Sequence, residues 1–352
     1  MTSIIYVGMD VHTTNYTLCC YSMEDDRFFA EVQVEPDAKN ILKYLARIEK
    51  QQSRDCRIVC GYEAGCLGYS LYHQLHAHGI DCVILAPTTM MTKPGKRIKT
   101  DRRDARLISK CLAFHTYSPV YIPTEVDDAV KEYIRMRDDA NSALARVKQQ
   151  IIAFCIRHGK IHDGKSYWTN KHLEWLSSLD LGNKILSEVL QEYLIRYYQL
   201  REQVDMYDMR INELAQAEPY RQKVEKLSCF RGIAAHTALS FCVEVGDFRR
   251  FATAQQFASY LGLVPGECSS GDKQQYTGIT KAGNSHLRKL LVETAQVFGR
   301  SATKSGKSVA LKERQAKCDS LTVAYADKAN ARLKKKYFKV TPHKYKIYFS
   351  RQ

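Results

Sequence analysis

Residues 3–34 read SIIYVGMDVHTTNYTLCCYSMEDDRFFAEVQV, and the reading of this run decides the fold. Ser3–Asp10 is an apolar stretch that reads as a buried strand closing on an aspartate. Asn15–Ser22 (NYTLCCYS) and Phe28–Val34 (FFAEVQV) follow, parted by the turn EDDR. Three strands so closely spaced predict a meander. Downstream, Asp37–Gln52 has helical spacing through Ile41, Leu42, Leu45 and Ile48. A strand at Arg57–Tyr62, a helix near Leu67–His78, a strand at Asp81–Leu85 and a helix starting at Thr100 or Asp101 complete the order βββαβαβα. That is the order of an α/β ribonuclease H-like fold, a mixed sheet with helices on its faces.

Two periodic series come next. One runs Val126, Val130, Tyr133, Arg137, Ala140, Leu144, Val147, Ile151, Phe154; the other runs Leu186, Leu190, Tyr193, Tyr197, Leu200, Val204, Tyr207, Ile211, Leu214. Steps of four and three alternate, which is the coiled-coil period. Either a helical hairpin packing on itself or a subunit contact satisfies it, and Arg137 interrupts the first series. The linker Gly159–Asn183 is polar and glycine-bearing, and Pro219 closes the second helix. Beyond it lie short helices, the loop GECSSGDKQQYTG, a basic helix NSHLRKLLVETAQ, and a C-terminal segment with Leu321, Ala324, Tyr325, Lys328, Ala329 and Leu333 at helical spacing. The expected domains are 1–120 (α/β), 121–219 (coiled helices) and 220–352 (mostly α).

The chain of 352 residues carries a net charge of +15, which favours a polyanionic partner. From Arg300 to Gln352 there are 15 Lys/Arg against three acids, interleaved with aromatics such as Tyr337, Phe338 and Tyr345. Aromatics beside cations suit nucleic acid. Lys93–Lys110 is a second basic stretch, with eight Lys/Arg. The twelve cysteines form no CxxC pair, so they read as small buried hydrophobes rather than zinc ligands or disulfides. His73, His76 and His78 read as a helix surface. No apolar run is long enough to span a bilayer, and MTSIIYVGMD does not read as a signal peptide. The expectation is a cytoplasmic protein with no membrane partner.

Cutting a phosphodiester calls for hard oxygen ligands that hold divalent cations. Four acids are candidates. Asp10 ends the first strand. Glu63 follows the strand RIVCGY. Asp101 and Asp104, three apart, share one face at the start of a helix. In a ribonuclease H-like arrangement these elements are neighbours. Singly, each has a plainer reading: a turn residue, a loop acid, a helix cap, a partner for a nearby arginine. Lys99, Arg102, Arg103 and Arg106 flank the last pair and suit phosphate. In the loop Gly266–Gly278, Ser269 and Ser270 precede Gly271, ahead of Lys281, Arg288 and Lys289. A serine beside glycine can approach a phosphate closely, although SSG is also a common turn. The Asp10-Val11-His12-Thr13-Thr14 run lacks the glycine-rich turn of actin-type ATPases, and there is no P-loop.

Several blocks together resemble one family. They are Gly8-Met9-Asp10, Tyr62-Glu63-Ala64-Gly65, Lys99-Thr100-Asp101-Arg102-Arg103-Asp104-Ala105-Arg106, Tyr260-Leu261-Gly262-Leu263-Val264-Pro265, Ser269-Ser270-Gly271 and Ile279-Thr280-Lys281-Ala282-Gly283-Asn284. Over nearly the whole chain they resemble the insertion-sequence one-ten family of transposases, which includes the Piv/MooV DNA invertases. The resemblance implies a RuvC-like domain with a DEDD site, a coiled-coil segment and a C-terminal transposase domain. It implies that Asp10, Glu63, Asp101 and Asp104 bind Mg²⁺, with Mn²⁺ as the alternative. It implies that Ser270, with Ser269 as fallback, is a nucleophile that links covalently to DNA. It further implies a structured noncoding guide RNA, donor and target DNA as partners, and a homodimer or homotetramer. The family commonly has P-G-I-G ahead of the serine block; here the sequence is Arg231-Gly232-Ile233-Ala234. Two other readings stay open: a metal nuclease or junction resolvase without serine chemistry, and a non-catalytic nucleic-acid-binding protein.

Overall fold

The computed structural model describes residues 3–52, 56–65, 67–90, 100–267, 275–300 and 306–340. The chain divides into two compact units, Met1–Ile122 and Pro123–Gln352.

The first unit is a five-stranded mixed sheet. Its elements are β1 (Ser3–Val11), β2 (Tyr16–Ser22), β3 (Arg27–Val34), α1 (Ala38–Gln51), β4 (Cys56–Glu63), α2 (Ser70–Ala77), β5 (Asp81–Leu85) and α3 (Asp101–Phe114). The strand order is β3-β2-β1-β4-β5. β1 is antiparallel to β2 and parallel to β4, and β4 is parallel to β5. This is the mixed α/β arrangement read from the element order.

Side chains alternate across a strand, and here the alternation sorts the two faces. Ile5, Val7 and Met9 of β1 pack in one core with Ile41, Leu45 and Ile48 of α1. Tyr6 packs on the other face with Ile108 and Leu112 of α3. Gly8 lies opposite α3 so closely that a Cβ there would run into the carbonyl oxygen of Ala105 and the amide nitrogen of Ser109. Only glycine lets the helix backbone settle onto the strand at that point. By the same parity Asp10 follows Tyr6 and Gly8 onto the α3 face. In β4, Val59 packs in the α3-side core and Gly61 meets Leu112 of α3, so Glu63 shares that parity.

The second unit is mostly helical. It comprises α4 (Glu125–Arg157), α5 (Asn170–Ser177), α6 (Lys184–Gln216), α7 (Arg221–Ser228), α8 (Ala235–Val245), α9 (Ala254–Tyr260), β6 (Pro265–Glu267), β7 (Tyr276–Ile279), α10 (Ser285–Arg300), α11 (Val309–Gln315) and α12 (Ser320–Val340). Helices α4 and α6 form a hairpin within the chain. Its core sets Leu144, Val147, Ile151 and Phe154 against Leu190, Leu194, Tyr197 and Val204. Nearer the base, Val130 and Ile134 meet Ile211, Ala215 and residues of α8.

Four details differ from the periodic reading. Val126 is exposed and Ile134 is in the core instead, because the helix begins at Glu125 and its first turn lies outside the packed seam. Arg137, the flaw in the series, makes a bidentate pair with Asp208 of α6, Nε to Oδ1 at 2.7 Å and Nη2 to Oδ2 at 2.9 Å. The linker is not merely polar: α5 folds within it and buries Leu173 and Leu176 against the hairpin. In α12, Leu321 and Tyr325 are exposed and Ala326 is buried; the helix exists, but its buried stripe is rotated from the one the spacing picked out.

Most of the described cysteines are buried as read, while Cys56 and Cys318 are half-buried and Cys66 and Cys268 lie outside the described residues. Cys19, Cys20, Cys60, Cys82, Cys111, Cys155, Cys229 and Cys242 are free and buried. Burial pushes the Cys82 thiol up to about 12, so it stays a neutral filler. His73, His76 and His78 lie on and just after α2, with His76 stacked on Tyr72 at 5.7 Å. Among the described residues no helix is long and apolar enough to cross a membrane.

Candidate active site

The acids converge in part. Asp10 and Asp101, together with His12, each offer a ligand atom, and these atoms all lie within 4.8 Å of one another. His12 Nε2 is 3.3 Å from Asp10 Oδ2. Asp10 sits near the end of β1, paired with Thr17 of β2, and Asp101 opens α3. The contact of α3 with Gly8 is what brings them together. Asp10 is held above the ordinary carboxylate value. Burial is the largest cause; His12 opposes it, and the charges of Asp104 and then Asp101 add to it. Asp104 is therefore within electrostatic reach, although it stands outside the close group. Glu63 ends β4, one residue past the Met9–Tyr62 pair of the β1–β4 register. It too stands outside the group of three. Crowded, partly buried acids that raise one another's affinity for protons raise their affinity for a divalent cation for the same reason. The donor set, mainly carboxylate oxygen with one imidazole, fits a hard or borderline divalent ion.

Of the basic residues beside these acids, Arg102 and Arg103 are exposed. Arg106 pairs through Nε with Glu31 of β3 and lies over the Phe28 ring at 5.4 Å. Lys99 lies outside the described residues.

Ser269 and Ser270 also lie outside the described residues, but the segments on either side have a clear construction. Strands β6 and β7 pair antiparallel, Pro265 with Ile279 and Glu267 with Tyr276. Behind them two turns interlock. Gly262, at φ 64°, has no room for a Cβ against the carbonyl of Ala282, and Gly283, at φ 83°, has none against the carbonyl of Tyr260. Backbone bonds close the lock: Lys281 N to Gly262 O at 3.1 Å and Asn284 N to Tyr260 O at 3.0 Å. Arg288 Nη1 donates to Leu261 O at 2.7 Å. Asn284 caps α10, its Oδ1 accepting from Leu287 N at 2.9 Å. The L-G-L-V-P and T-K-A-G-N blocks are thus two halves of one structural device. Lys281 and Lys289 remain exposed beside it. Ala234, where the family commonly has glycine, sits before α8 at φ −114°, a conformation that any residue adopts.

Residues 7–156 match a DEDD transposase model described as "Transposase". Residues 224–314 match the model "Transposase IS116/IS110/IS902 family". The chain is 32% identical over 350 residues to the transposase for insertion sequence element IS1533 of Leptospira borgpetersenii, covering 97% of this chain and 98% of the relative. The chain belongs to the IS110 family of insertion-sequence transposases. It is also 26% identical over 268 residues to the IS1111A transposase of Coxiella burnetii, covering 72% of this chain and 71% of the relative. Against the IS1328 transposase of Yersinia enterocolitica it is 28% identical over 204 residues, covering 58% and 60%.

In this transposase, sequence reasoning missed two things. One is His12. It stands two residues after Asp10, just past the end of β1 at Val11, and its nearness in sequence was the signal available. The other is a half-buried charge network in the second unit. Asp138 of α4 has His236 Nε2 2.9 Å from Oδ1 and His286 Nε2 2.8 Å from Oδ2. His286 Nδ1 also pairs with Glu244 of α8, which bonds Asn284 as well. Burial pushes Asp138 up, but the two imidazoles outweigh it and hold the carboxyl far below its ordinary range. The hydrogen bonds to Asp138 and then Glu244 raise His286 to about 9, so it is an imidazolium at neutral pH. No local spacing in the sequence joins these residues.

Proposed function

We propose that this transposase cuts and rejoins DNA through a RuvC-like metal site and a serine nucleophile, guided by a structured noncoding RNA. The observation that carries the reading is the convergence of Asp10 and Asp101 within 4.8 Å, with His12 beside them and Asp104 in electrostatic reach.

Asp10 and Asp101 would hold Mg²⁺, or Mn²⁺ in its place, with Asp104 and Glu63 completing the DEDD set. When bound, the ion supplies charge stabilisation at the phosphate oxygens. Arg102, Arg103 and Lys99 would position the DNA backbone, as would Lys281 and Lys289. Ser270 Oγ, with Ser269 as fallback, would attack phosphorus. The Ser–O–P bond forms, the bond to the leaving deoxyribose oxygen breaks, and that oxygen takes up the proton. Rejoining runs the same step backwards with a different strand end. Donor and target DNA would be selected by pairing with the RNA. Subunits of a dimer or tetramer would bring the carboxylates of one copy to the serine of another.

The test is trapping with the full chain and its flanking noncoding RNA. Wild type should give a covalent protein–DNA adduct; Ser270→Ala and Asp10→Asn should give none. Cleavage retained in Ser270→Ala and lost in Asp10→Asn would mean a metal nuclease instead. Adduct formation without the RNA would remove the guide from the reading.

A further inference from the structure

The connection between α4 and α6 is much longer than a hairpin needs, since such joints usually take about 2–8 residues. It contains both tryptophans of the chain, Trp168 and Trp175. A cavity of about 130 Å³ opens there, lined by Lys160, Ile161, His162, Tyr167, His172 and Trp175 among others. The rings form a cluster: His162 lies 4.7 Å from His172 and 5.0 Å from Trp175, and Tyr167 lies 4.9 Å from His172. His172, 1% exposed, accepts through Nδ1 from the amide of Trp168 at 3.2 Å. Trp168 is held at φ 64°, a costly backbone for a bulky residue. It persists by stacking on Tyr197 at 5.0 Å under the ammonium of Lys148 at 5.5 Å. The cluster is thus a built and braced structure, yet Tyr167 and Ile161 remain exposed on it.

We infer that this cavity takes up one unpaired single-ring base of a nucleic-acid strand. Three observations carry it. The volume suits one ring better than two, since a cavity of about 150 Å³ accommodates benzene. Part of the wall is made of rings, His162, Tyr167, His172 and Trp175, and part is aliphatic, with Ile152, Ile156 and Leu176; base stacking on such rings is worth about 1–3 kcal/mol. The charge around it is complementary to phosphate: between Arg157 and Lys171 stand Arg157, Lys160, Lys165 and Lys171 against one acid, Asp163. A paired base has no free face to offer, so duplex is excluded. The cavity is lined by residues of the second unit alone, and its occupation does not require cleavage.

Because both tryptophans lie here, intrinsic fluorescence reads the cavity directly. The full chain, in chelator so that no cutting occurs, is titrated with oligothymidylate, oligouridylate, oligoadenylate and an abasic oligomer of equal length. Thymidylate or uridylate should change the tryptophan emission, protect it from acrylamide quenching and bind about 5- to 150-fold more tightly than the abasic strand; the stronger of the two tells DNA from RNA. Tyr167→Ala should remove most of that advantage with its melting temperature unchanged. Equal affinity for the abasic strand, or unaltered emission, overturns the inference. So does preferential binding of oligoadenylate, or emission that changes with protein concentration alone, which would mark a contact between copies. The acrylamide measurement on wild type decides even if the variant does not fold.

Discussion

Asp138 Oδ2 and His286 Nε2 meet at 2.8 Å across 148 residues of chain. Because the other nitrogen of His286 faces Glu244, one imidazolium ties α4, α8 and α10 together. Its folded value is about 9, above the ordinary value of about 6.5. A raised histidine stabilises fully below its unfolded value, and the stabilisation is lost as pH rises through the folded one. Wild type should therefore lose melting temperature between about pH 6.5 and 9, and His286→Gln should be lower at pH 6.5 but flatter across that window. Equal slopes in the two proteins would contradict the linkage. Asp138→Asn, which strips the partner from two imidazoles, should cost about 3 kcal/mol in urea unfolding.

Gly8→Ala should cost about 1–3 kcal/mol, because its new Cβ meets the backbone of Ala105 and Ser109, which no rotamer change can relieve. Lifting α3 away from β1 also separates Asp101 from Asp10. DNA cleavage should then fall more than the urea midpoint alone accounts for. A variant with wild-type midpoint and activity would refute the close packing.

His12 should tune the metal site rather than the fold, since its side chain is half exposed. His12→Ala should raise the Mn²⁺ concentration needed for half-maximal cleavage by about 10- to 100-fold while leaving the melting temperature in chelator unchanged. An unaltered metal dependence would show that His12 merely neighbours the acids.

The Arg137–Asp208 pair predicts a partial rescue. Arg137→Met should cost about 2 kcal/mol, because Asp208 is left facing the hairpin seam; the figure is modest since Asp208 is over a third exposed. Adding Asp208→Leu should recover part of the loss, measured as a double-mutant cycle.

How much of this was legible in the sequence follows from the range of the interactions. Strand alternation and the turn at EDDR are local, so β1–β3 and their order were readable. The parity that sends Tyr6, Gly8 and Asp10 to one face was also in the sequence, but His12 lies past the end of β1, where that parity no longer decides. The Asp138–His236–His286–Glu244 network was not, because its members come from three helices far apart in the chain and look like ordinary surface residues in each. Arg137 illustrates the limit of periodicity: a charged residue in an apolar series looks like an error until its partner on the facing helix is known. The rotated stripe of α12 has the same origin, since spacing fixes a helix but not which side its neighbours cover.

Each arm of the α4–α6 hairpin is 33 residues long, and at about 1.5 Å per residue it reaches roughly 50 Å. That is the span of about fifteen base pairs of duplex at 3.4 Å each. Groups at the tip of the hairpin are therefore held at a fixed stride from groups at its base. Inserting one heptad in each arm would lengthen that stride by about 10 Å, or three base pairs, without disturbing the seam.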